Sequence, residues 1–438
     1  MAMNIKEITS QMKLDSNKMA SSTVESRNAA LSAVCSALIE NKEAIFTANK
    51  EDMDAAEQNG ISTAVKKRLK FDEHKLSDVV AGIEGLITLP DPIGNVQLKR
   101  QLDEGLILER ISCPIGVIGI IFEARPDALI QISSLCIKSG NCGILKGGKE
   151  TAKTNKTIFE IIHKAVVDAG LPEKCLVQVE LHNEIDELLQ CHESVDLLIP
   201  RGSNSFVQYI MNNTKIPVMG HADGICHTYV DKDVNLEKML PVIVDAKTQY
   251  TAACNATETL LIHKDIAENA LPVIAAELKK AGVTIRGTKD AATILNSGTK
   301  AEPYITDIDI MENDEFNKEY LDLIISVKVV ADVDEAIEHI NRFGSHHTDC
   351  ILTDNGETAE YFMKMVDSAG VYQNCSTRFA DGFRYGFGAE VGISTGKIHA
   401  RGPVGLEGLV TYKYKLYGCG HTVNDFATGV RKFNFIDM

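Results

Sequence analysis

From Gly116 onward, short apolar runs alternate with segments of helical periodicity, and few architectures accommodate that pattern. The runs have the length of buried strands and cover residues 116–122, 142–145, 176–179, 195–199 and 216–219. Between them, Ile158, Ile162 and Val166 recur at helical spacing before a stop at Gly170. Repeated strand–helix–strand units predict a parallel sheet covered by helices on both faces.

A second block of the same kind begins near Val234, so the chain is predicted to hold two α/β domains. Its predicted strands are 258–263, 321–330 and 349–353, and its predicted helices are about 265–281 and 334–342.

Two segments fit neither block. Residues 97–112 predict a protruding hairpin with a turn at Asp103-Glu104-Gly105, and the alternating residues 411–418 resemble an edge strand. An exposed strand edge can pair with another chain, so both are candidate assembly elements.

The composition excludes several classes of protein. The chain has 438 residues, enough for two or three domains, and a formal net charge of −16, which disfavours nucleic acid as a partner. No apolar stretch reaches the length of a membrane span, and the first residues do not resemble a signal peptide, so we expect a cytoplasmic protein. The 11 cysteines form no C-x-x-C pair and are expected to be reduced thiols.

One of these cysteines has the setting of a nucleophile. Cys254, followed by Asn255 and Ala256, comes just before an apolar strand. A thiol in such a loop can be exposed, and backbone N–H groups after it can stabilise a thiolate or an oxyanion. From this local pattern alone, a buried structural cysteine remains the alternative.

Two turns are candidate phosphate sites. Residues 144–150 join a strand to a helix through two glycines flanked by Lys146 and Lys149, and residues 200–206 open a helix at Gly202-Ser203. Solvated turns would have the same composition, and the G-x-G-x-x-G dinucleotide fingerprint does not follow the first strand.

Two further segments are rich in polar side chains. Residues 221–227 contain two histidines, but their spacing matches no common zinc pattern, so no metal is predicted. Residues 378–405 carry Arg378, Arg384 and Arg401 among glycines, which in an acidic protein suits an anion site as well as a solvated loop.

Taken together, long ordered stretches resemble the aldehyde dehydrogenase superfamily, and within it the branch that acts on glutamyl phosphate. The stretches that carry the resemblance are 114–127, 135–150, 199–203, 226–231, 254–263, 336–353, 376–382 and 388–414. The resemblance implies an aldehyde dehydrogenase-like α/β fold with two doubly wound domains and a small oligomerisation hairpin and strand. The expected NADP-binding domain covers 1–96 and 113–231, the catalytic domain 232–405, and the oligomerisation element 97–112 and 406–438.

The resemblance also implies an NADP(H) site. Lys146 would bind the adenine ribose, with Gly148, Gly202 and Ser203 along the cofactor. Lys149 stands where many NAD-using relatives have a Glu, and a lysine attracts a 2′-phosphate. Glu319 would hold the nicotinamide ribose, with Glu315 as the competing alignment.

For catalysis, the resemblance implies Cys254 as the nucleophile, with a backbone N–H of Cys254 or Asn255 as an oxyanion donor. His221 replaces the Glu base of hydrolytic relatives, which suits phosphate, not water, as the acyl acceptor. Arg125 would stabilise either an oxyanion or the leaving phosphate. The expected substrate-binding residues are Ser376, Thr377, Arg378 and Arg401.

The implied reaction is NADPH-dependent reduction of L-glutamyl 5-phosphate to L-glutamate 5-semialdehyde, in proline biosynthesis. A homo-oligomer, dimer or tetramer, is expected, and a glutamate 5-kinase would be a separate protein. A coenzyme A-acylating aldehyde dehydrogenase and a non-catalytic protein of the same fold are the alternatives.

Overall fold

The computed structural model describes residues 4–123, 125–180, 183–221, 223–296, 308–311 and 313–438. By its internal contacts the chain divides into two units. The first comprises 1–220, 387–392 and 404–438, and the second comprises 221–386 and 393–403. Among the described residues, no helix is both long and apolar enough to cross a bilayer.

The first unit is built around a parallel sheet. Its helices before residue 220 are α1 (Ile5–Ser21), α2 (Val24–Glu40), α3 (Lys42–Gln58), α4 (Thr63–Leu69), α5 (Glu73–Thr88), α6 (Pro126–Lys138), α7 (Ala152–Asp168), α8 (Asn183–Leu189) and α9 (Asn204–Asn213). Its strands there are β1 (Val96–Asp103), β2 (Leu106–Pro114), β3 (Val117–Ile121), β4 (Cys142–Lys146), β5 (Leu176–Gln178) and β6 (Leu197–Pro200). The sheet order β5-β4-β3-β6 means that the chain winds outward from β3 in both directions, as predicted.

One predicted strand of this unit does not form. Residues 216–219 contribute only an isolated bridge between Val218 and Leu198. Pro217 has no N–H to donate, which limits pairing along this segment.

The second unit carries the larger sheet. Its elements are β7 (Cys226–Val230), α10 (Leu236–Thr248), β8 (Thr257–His263), α11 (Lys264–Lys280), β9 (Thr284–Gly287), α12 (Lys289–Asn296), β10 (Asp309–Ile310), β11 (Ile324–Val330), α13 (Val333–Phe343), β12 (Thr348–Leu352), α14 (Gly356–Met365) and β13 (Gly370–Gln373). The order is β10-β9-β11-β8-β7-β12-β13, and every neighbouring pair is parallel.

Alternate residues of each central strand in this sheet enter different hydrophobic cores. Leu260 and Ile262 of β8 pack in one core with α11, whereas Leu261 packs in the other with α13 and α14. Each fully buried side chain of this size contributes about 1.5–3 kcal/mol. The central strands are therefore buried on both faces, which favours the short apolar runs by which they are recognised in the sequence.

The remaining strands are β14 (Gly392–Ser394), β15 (Gly402–Val404), β16 (Val410–Tyr417) and β17 (Ile436–Asp437), with helix α15 (Val423–Ala427) between the last two. The predicted hairpin is β1–β2, and Gly105 turns it with a φ of 73°. Strand β16 pairs antiparallel with β2 and lies at the edge of the sheet β16-β2-β1-β17, as predicted. Its side chains Tyr412, Tyr414 and Leu416 are half or more exposed.

The domain boundary differs from the predicted one. The family resemblance predicts a cofactor domain that ends at residue 231, whereas the second unit begins at His221. Strand β7 pairs with β8 and β12, so it belongs to the second sheet. An apolar strand pattern shows that a strand is buried but does not show which sheet it joins. The assignment of cofactor binding and catalysis to the two domains stays a prediction.

A buried histidine in the second unit has no hydrogen bond to its ring. His339 on α13 is 3% exposed, and neither ring nitrogen has a partner among the described residues. It packs edge-on against Phe316, with ring centroids 4.6 Å apart, and beside Phe343 at 4.7 Å. Burial, reinforced by His227, lowers the pKa of His339 to about 2, so this ring is held neutral.

We expect His339→Phe to stabilise the protein, because two unsatisfied nitrogens are replaced by carbon among aromatic rings. The gain in unfolding free energy should be about 1–2 kcal/mol. The pKa of His339 is lower in the folded than in the unfolded chain, so the wild type loses stability as pH falls below about 6.5. The variant should lose up to about 1.4 kcal/mol less per pH unit there.

Urea unfolding between pH 7.5 and 5 measures both effects. His74→Phe, at an exposed helical position, is the control and should shift stability by less than about 0.5 kcal/mol. Equal pH slopes for the wild type and His339→Phe would contradict the account.

Candidate active site

Three loops of the second unit meet at one edge of its sheet. Strand β7 lies between β8 and β12, and all three run parallel, so the segments that precede them approach the same edge. His221 precedes β7, Cys254 precedes β8, and His347 precedes β12. Residues far apart in sequence are thereby brought together around the predicted nucleophile.

Cys254 has a base within hydrogen-bonding distance. Its Sγ lies 3.1 Å from Nε2 of His347, whose Nδ1 lies 2.9 Å from the Thr348 hydroxyl oxygen. His347 is fully buried, whereas Cys254 is half-buried. When Nδ1–H is donated to Thr348, Nε2 can accept the thiol proton, which is the arrangement of an activated cysteine nucleophile.

The backbone at Cys254 is pressed against Gly224. A Cβ on Gly224 would lie 2.2 Å from the Cys254 carbonyl oxygen and 2.5 Å from its Cα. The carbonyl oxygen of Cys254 also accepts a hydrogen bond from the Cys226 thiol, at 3.3 Å. The position of the nucleophile therefore depends on a close approach that only glycine permits.

Asn255 and Thr377 hold the loop of the nucleophile in place. The Asn255 side-chain amide donates to the Ala380 carbonyl at 2.8 Å, and its backbone carbonyl accepts from the Thr377 hydroxyl at 2.7 Å. Thr377 is fully buried, and its oxygen also lies 3.2 Å from that of Thr257. Thr377, predicted to bind substrate, is thus engaged with the protein, and a backbone N–H stays the predicted oxyanion donor.

Arg378 is the most buried of the predicted anion-binding arginines. It is 7% exposed, its Nε donates to Gln249 at 3.0 Å, and its guanidinium lies 5.8 Å from the Tyr250 ring centroid. Burial, then the nearby Arg384, lowers the pKa of Arg378, with Cys254 opposing. No carboxylate forms an ion pair with it in the described part of the chain. A buried cation of this kind favours an anionic ligand.

Ser376 and Arg401 have protein partners in the structure. Ser376 caps a short helical turn by accepting a hydrogen bond from the Arg378 backbone N–H at 3.3 Å. Arg401 pairs with Asp367 at 3.1 Å, and Lys397 pairs with the same carboxylate. These cations, Lys397 first, hold the pKa of Asp367 below its usual value. Binding of a substrate anion by Arg401 would have to compete with Asp367.

His221 lies beside the nucleophile and its base. Its Nδ1 is 2.8 Å from the Ile393 carbonyl oxygen, which can only accept, so Nδ1 carries a proton, and in the neutral ring Nε2 has the lone pair. The rings of His221 and His347 meet edge-on with centroids 4.9 Å apart.

In the first unit, the predicted cofactor lysines differ in exposure. Lys146 ends β4, is 8% exposed, and donates from Nζ to the Gly147 carbonyl at 3.0 Å. Burial lowers the pKa of Lys146, with neighbouring glutamates opposing. Gly148 precedes a short helical turn in which Lys149 is exposed. An exposed lysine after a glycine turn fits the predicted contact with a phosphate.

A carboxylate occupies the helix start at Gly202-Ser203. Glu123 Oε1 accepts a hydrogen bond from the Ser203 backbone N–H at 3.1 Å, at the start of α9. It also lies 3.1 Å from where a Cβ on Gly202 would be. The helix start thus binds an anionic group from the protein itself, and a cofactor phosphate there would displace Glu123.

Of the other predicted residues, Arg125 and Glu315 form ion pairs. Arg125 precedes α6 and pairs with the buried Asp127 at 2.7 Å. Burial raises the pKa of Asp127, but the hydrogen bond and charge of Arg125 outweigh it and the net shift is downward. Glu315 pairs with Arg286 at 2.7 Å, and Glu319 is half-buried. The choice between Glu319 and Glu315 stays a prediction.

Comparison with known proteins shows the family of the chain. The sequence model of the aldehyde dehydrogenase family matches residues 2–295. γ-Glutamyl phosphate reductase of Acetivibrio thermocellus is 50% identical over 436 residues, covering 100% of this chain and 99% of that protein. The chain belongs to the γ-glutamyl phosphate reductase family. The enzyme of the same name from Picosynechococcus is 52% identical over 420 residues, covering 96% of each chain.

A solved structure of the family has the same fold. The crystal structure of γ-glutamyl phosphate reductase from Thermotoga maritima superposes with a TM-score of 0.90 at 37% identity, covering 95% of this chain and 99% of that chain. Membership in the aldehyde dehydrogenase family implies a nicotinamide cofactor.

His347 is the site residue that the sequence analysis missed. It stands next to His346 and directly before the strand that begins at Thr348. A histidine just before a parallel strand, like Cys254 just before another, is a signal that could have found it, since both loops must reach the same sheet edge. Using that signal would have required knowing that β8 and β12 both pair with β7, and the sequence does not show this strand order.

We expect Gly224→Ala to displace Cys254 from His347, because the new methyl group overlaps the Cys254 backbone. Alkylation of Cys254 by iodoacetamide should slow roughly tenfold or more, since a 1 Å misplacement can cost about 10²-fold. Overpacking should also lower the unfolding free energy by about 1–3 kcal/mol. Peptide mass spectrometry measures the alkylation rate.

Gly356→Ala is the matched control. A Cβ on Gly356 meets no atom within 4 Å, so this variant should be alkylated at the wild-type rate. Wild-type alkylation of Gly224→Ala would show that the close approach does not position the thiol.

Proposed function

We propose that this chain reduces L-glutamyl 5-phosphate to L-glutamate 5-semialdehyde with NADPH, releasing phosphate, in the second step of proline biosynthesis. The names of relatives with about half of their residues identical support the substrate. The observation that carries the chemistry is the 3.1 Å contact between the Cys254 thiol and the His347 imidazole. A thiol beside a base is suited to attack an acyl phosphate.

The first half of the reaction forms a thioester. His347 Nε2 takes the proton of Cys254, and the thiolate attacks the acyl carbon. The bond from that carbon to the phosphate oxygen breaks, and phosphate leaves with its electron pair. Arg378, buried near Cys254, is suited to bind one of the two anionic groups of the substrate, its phosphate or its α-carboxylate. Four other substrate contacts stay predictions: Arg125, Ser376, Thr377 and Arg401. Each of these side chains now bonds to another part of the protein, and substrate binding would have to replace that bond.

The second half releases the aldehyde. A nicotinamide cofactor, which Lys146, Lys149 and Glu319 are proposed to hold, would supply the hydride for the thioester carbon when bound. A backbone N–H of Cys254 or Asn255 stabilises the oxyanion, and loss of one such donor costs roughly 3–4 kcal/mol in comparable sites. The carbon–sulfur bond then breaks, and Cys254 leaves as a thiolate.

The acyl acceptor in the reverse direction is the point most open to test. His221 occupies the place of the Glu base of hydrolytic relatives, and its Nδ1 donates to Ile393. His347 is nevertheless a base beside Cys254, so water is excluded as acceptor only if neither imidazole reaches it. Phosphate dependence decides between phosphate and water.

We expect NADP⁺ reduction with glutamate 5-semialdehyde only when inorganic phosphate is present. Absorbance at the NADPH band, with phosphate, with coenzyme A, or with neither, is the measurement. Cys254→Ser should abolish turnover, whereas Cys419→Ser, at an exposed thiol, should leave it unchanged. Equal turnover without phosphate would mean that water deacylates the thioester, and turnover only with coenzyme A would assign the chain to an acylating dehydrogenase.

We propose NADP(H) as the cofactor because Lys149 is an exposed cation in the turn after β4. Reversing its charge should repel a 2′-phosphate. Lys149→Glu is therefore expected to lower the ratio of kcat/KM for NADP⁺ to that for NAD⁺ by roughly tenfold or more, since tenfold corresponds to about 1.4 kcal/mol. Lys164→Glu, at the exposed far end of α7, is the control. An unchanged ratio in Lys149→Glu would exclude the contact.

The remaining expectations concern assembly and location. The exposed side chains of the β16 edge support a homo-oligomer, dimer or tetramer, and light scattering of the purified chain would show its mass. A cytoplasmic location and a functional pairing with a separate glutamate 5-kinase stay predictions.

A further inference from the structure

Three side chains that ligate transition metals converge at the nucleophile. One donor atom each from His221, Cys254 and His347 lie within 4.8 Å of one another. The closest pair, His347 Nε2 and Cys254 Sγ, is 3.1 Å apart. The three residues come from three different loops, so their convergence is a property of the sheet and not of a local sequence motif.

The two imidazoles are already oriented as ligands. Nδ1 of His221 donates to the Ile393 carbonyl, and Nδ1 of His347 lies 2.9 Å from the Thr348 hydroxyl oxygen. Metal-bound histidines commonly donate their second ring N–H to such an oxygen, which fixes the tautomer and the ring. When both rings are neutral and Thr348 accepts from His347, Nε2 has the lone pair in each ring.

The donor set and spacing suit zinc. Two imidazole nitrogens and one thiolate match the preference of Zn²⁺, and not that of Mg²⁺ or Ca²⁺. A tetrahedral zinc with bonds of about 2.0–2.3 Å has edges of roughly 3.3–3.6 Å. Closing the cluster therefore needs side-chain movement on the order of 1 Å.

We propose that His221, Cys254 and His347 form a three-ligand site for Zn²⁺ that captures the nucleophile and reversibly inhibits the enzyme. The S–H bond of Cys254 is replaced by an S–Zn bond, the proton passes to solvent, and water completes the coordination. No electron is transferred. Inhibition rests on the proposed function of Cys254, whereas binding does not.

This site differs from the one considered in the sequence. The spacing of the two histidines in residues 221–227 matches no common zinc pattern, so the sequence alone predicts no metal. The structure supplies the missing ligands from residue 254 and from residue 347.

Zinc binding by the full chain can be measured by competition with a chromophoric chelator. We expect one Zn²⁺ per chain in the wild type and at least roughly tenfold weaker binding in His221→Asn. Asn can keep the hydrogen bond to the Ile393 carbonyl while removing the Nε2 ligand. His346→Asn is the matched control: its Nδ1 bonds the Asp367 carbonyl, and it lies outside the cluster, so zinc affinity should be unchanged.

Cobalt provides an independent readout of the sulfur ligand. Co²⁺ added to the wild type should give thiolate-to-cobalt charge-transfer absorption, which Cys254→Ser should lack. Equal zinc affinity in the wild type and His221→Asn, or a cobalt spectrum unchanged by Cys254→Ser, would overturn the site.

Activity separates this inference from the proposed function. Micromolar Zn²⁺ should inhibit phosphate-dependent turnover, a chelator should restore it, and His221→Asn should shift the inhibitory concentration upward roughly tenfold or more. A chain that binds zinc through these ligands but has no reductase activity would leave the metal site standing and remove the function. An active enzyme that binds no zinc at Cys254 would exclude the metal site and leave the proposed function standing.

Discussion

The parallel pairing of β7 with both β8 and β12 determines where the chemistry lies. Parallel strands present their amino ends at one edge, so the loops before these three strands have to meet there. Cys254 and His347 are 93 residues apart in sequence, and this pairing brings together the two loops in which their side chains lie 3.1 Å apart. A different strand order would leave a cysteine and a histidine with no relation to each other.

The edge of the sheet fixes only the approximate position of the nucleophile, and neighbouring contacts fix the rest. Gly224 lets two backbone segments approach to a distance that no Cβ would allow, and Thr377 binds the carbonyl of Asn255 from a buried position. Thr377, which the family resemblance predicts to bind substrate, thus supports the loop that carries the thiol. Such support is what holds a catalytic group in a reactive orientation.

The sequence predicted much of the secondary structure because several strands are short apolar runs, such as 117–121 and 142–145, which are typical of strands buried on both faces. It predicted Cys254 because a family motif surrounds that residue. It missed His347 because its partner is set by strand order, and it placed β7 with the wrong sheet for the same reason. The ion pair of Arg401 with Asp367 could not be predicted either, since no sequence pattern in either segment indicates that the two residues are in contact.

A reactive cysteine and a metal site impose the same physical demands. A thiol is activated when a neutral imidazole nitrogen points at it, and the same lone pair, beside a thiolate, is a ligand for a borderline-soft cation. Here a second imidazole, that of His221, stands beside this pair. If His221 replaces the carboxylate base of hydrolytic relatives, as we propose, then exchanging it would change both the acyl chemistry and the metal affinity of the site. Sensitivity to zinc would then follow from the way this enzyme prepares its nucleophile, and a variant that lost the sensitivity at His221 would separate the two properties.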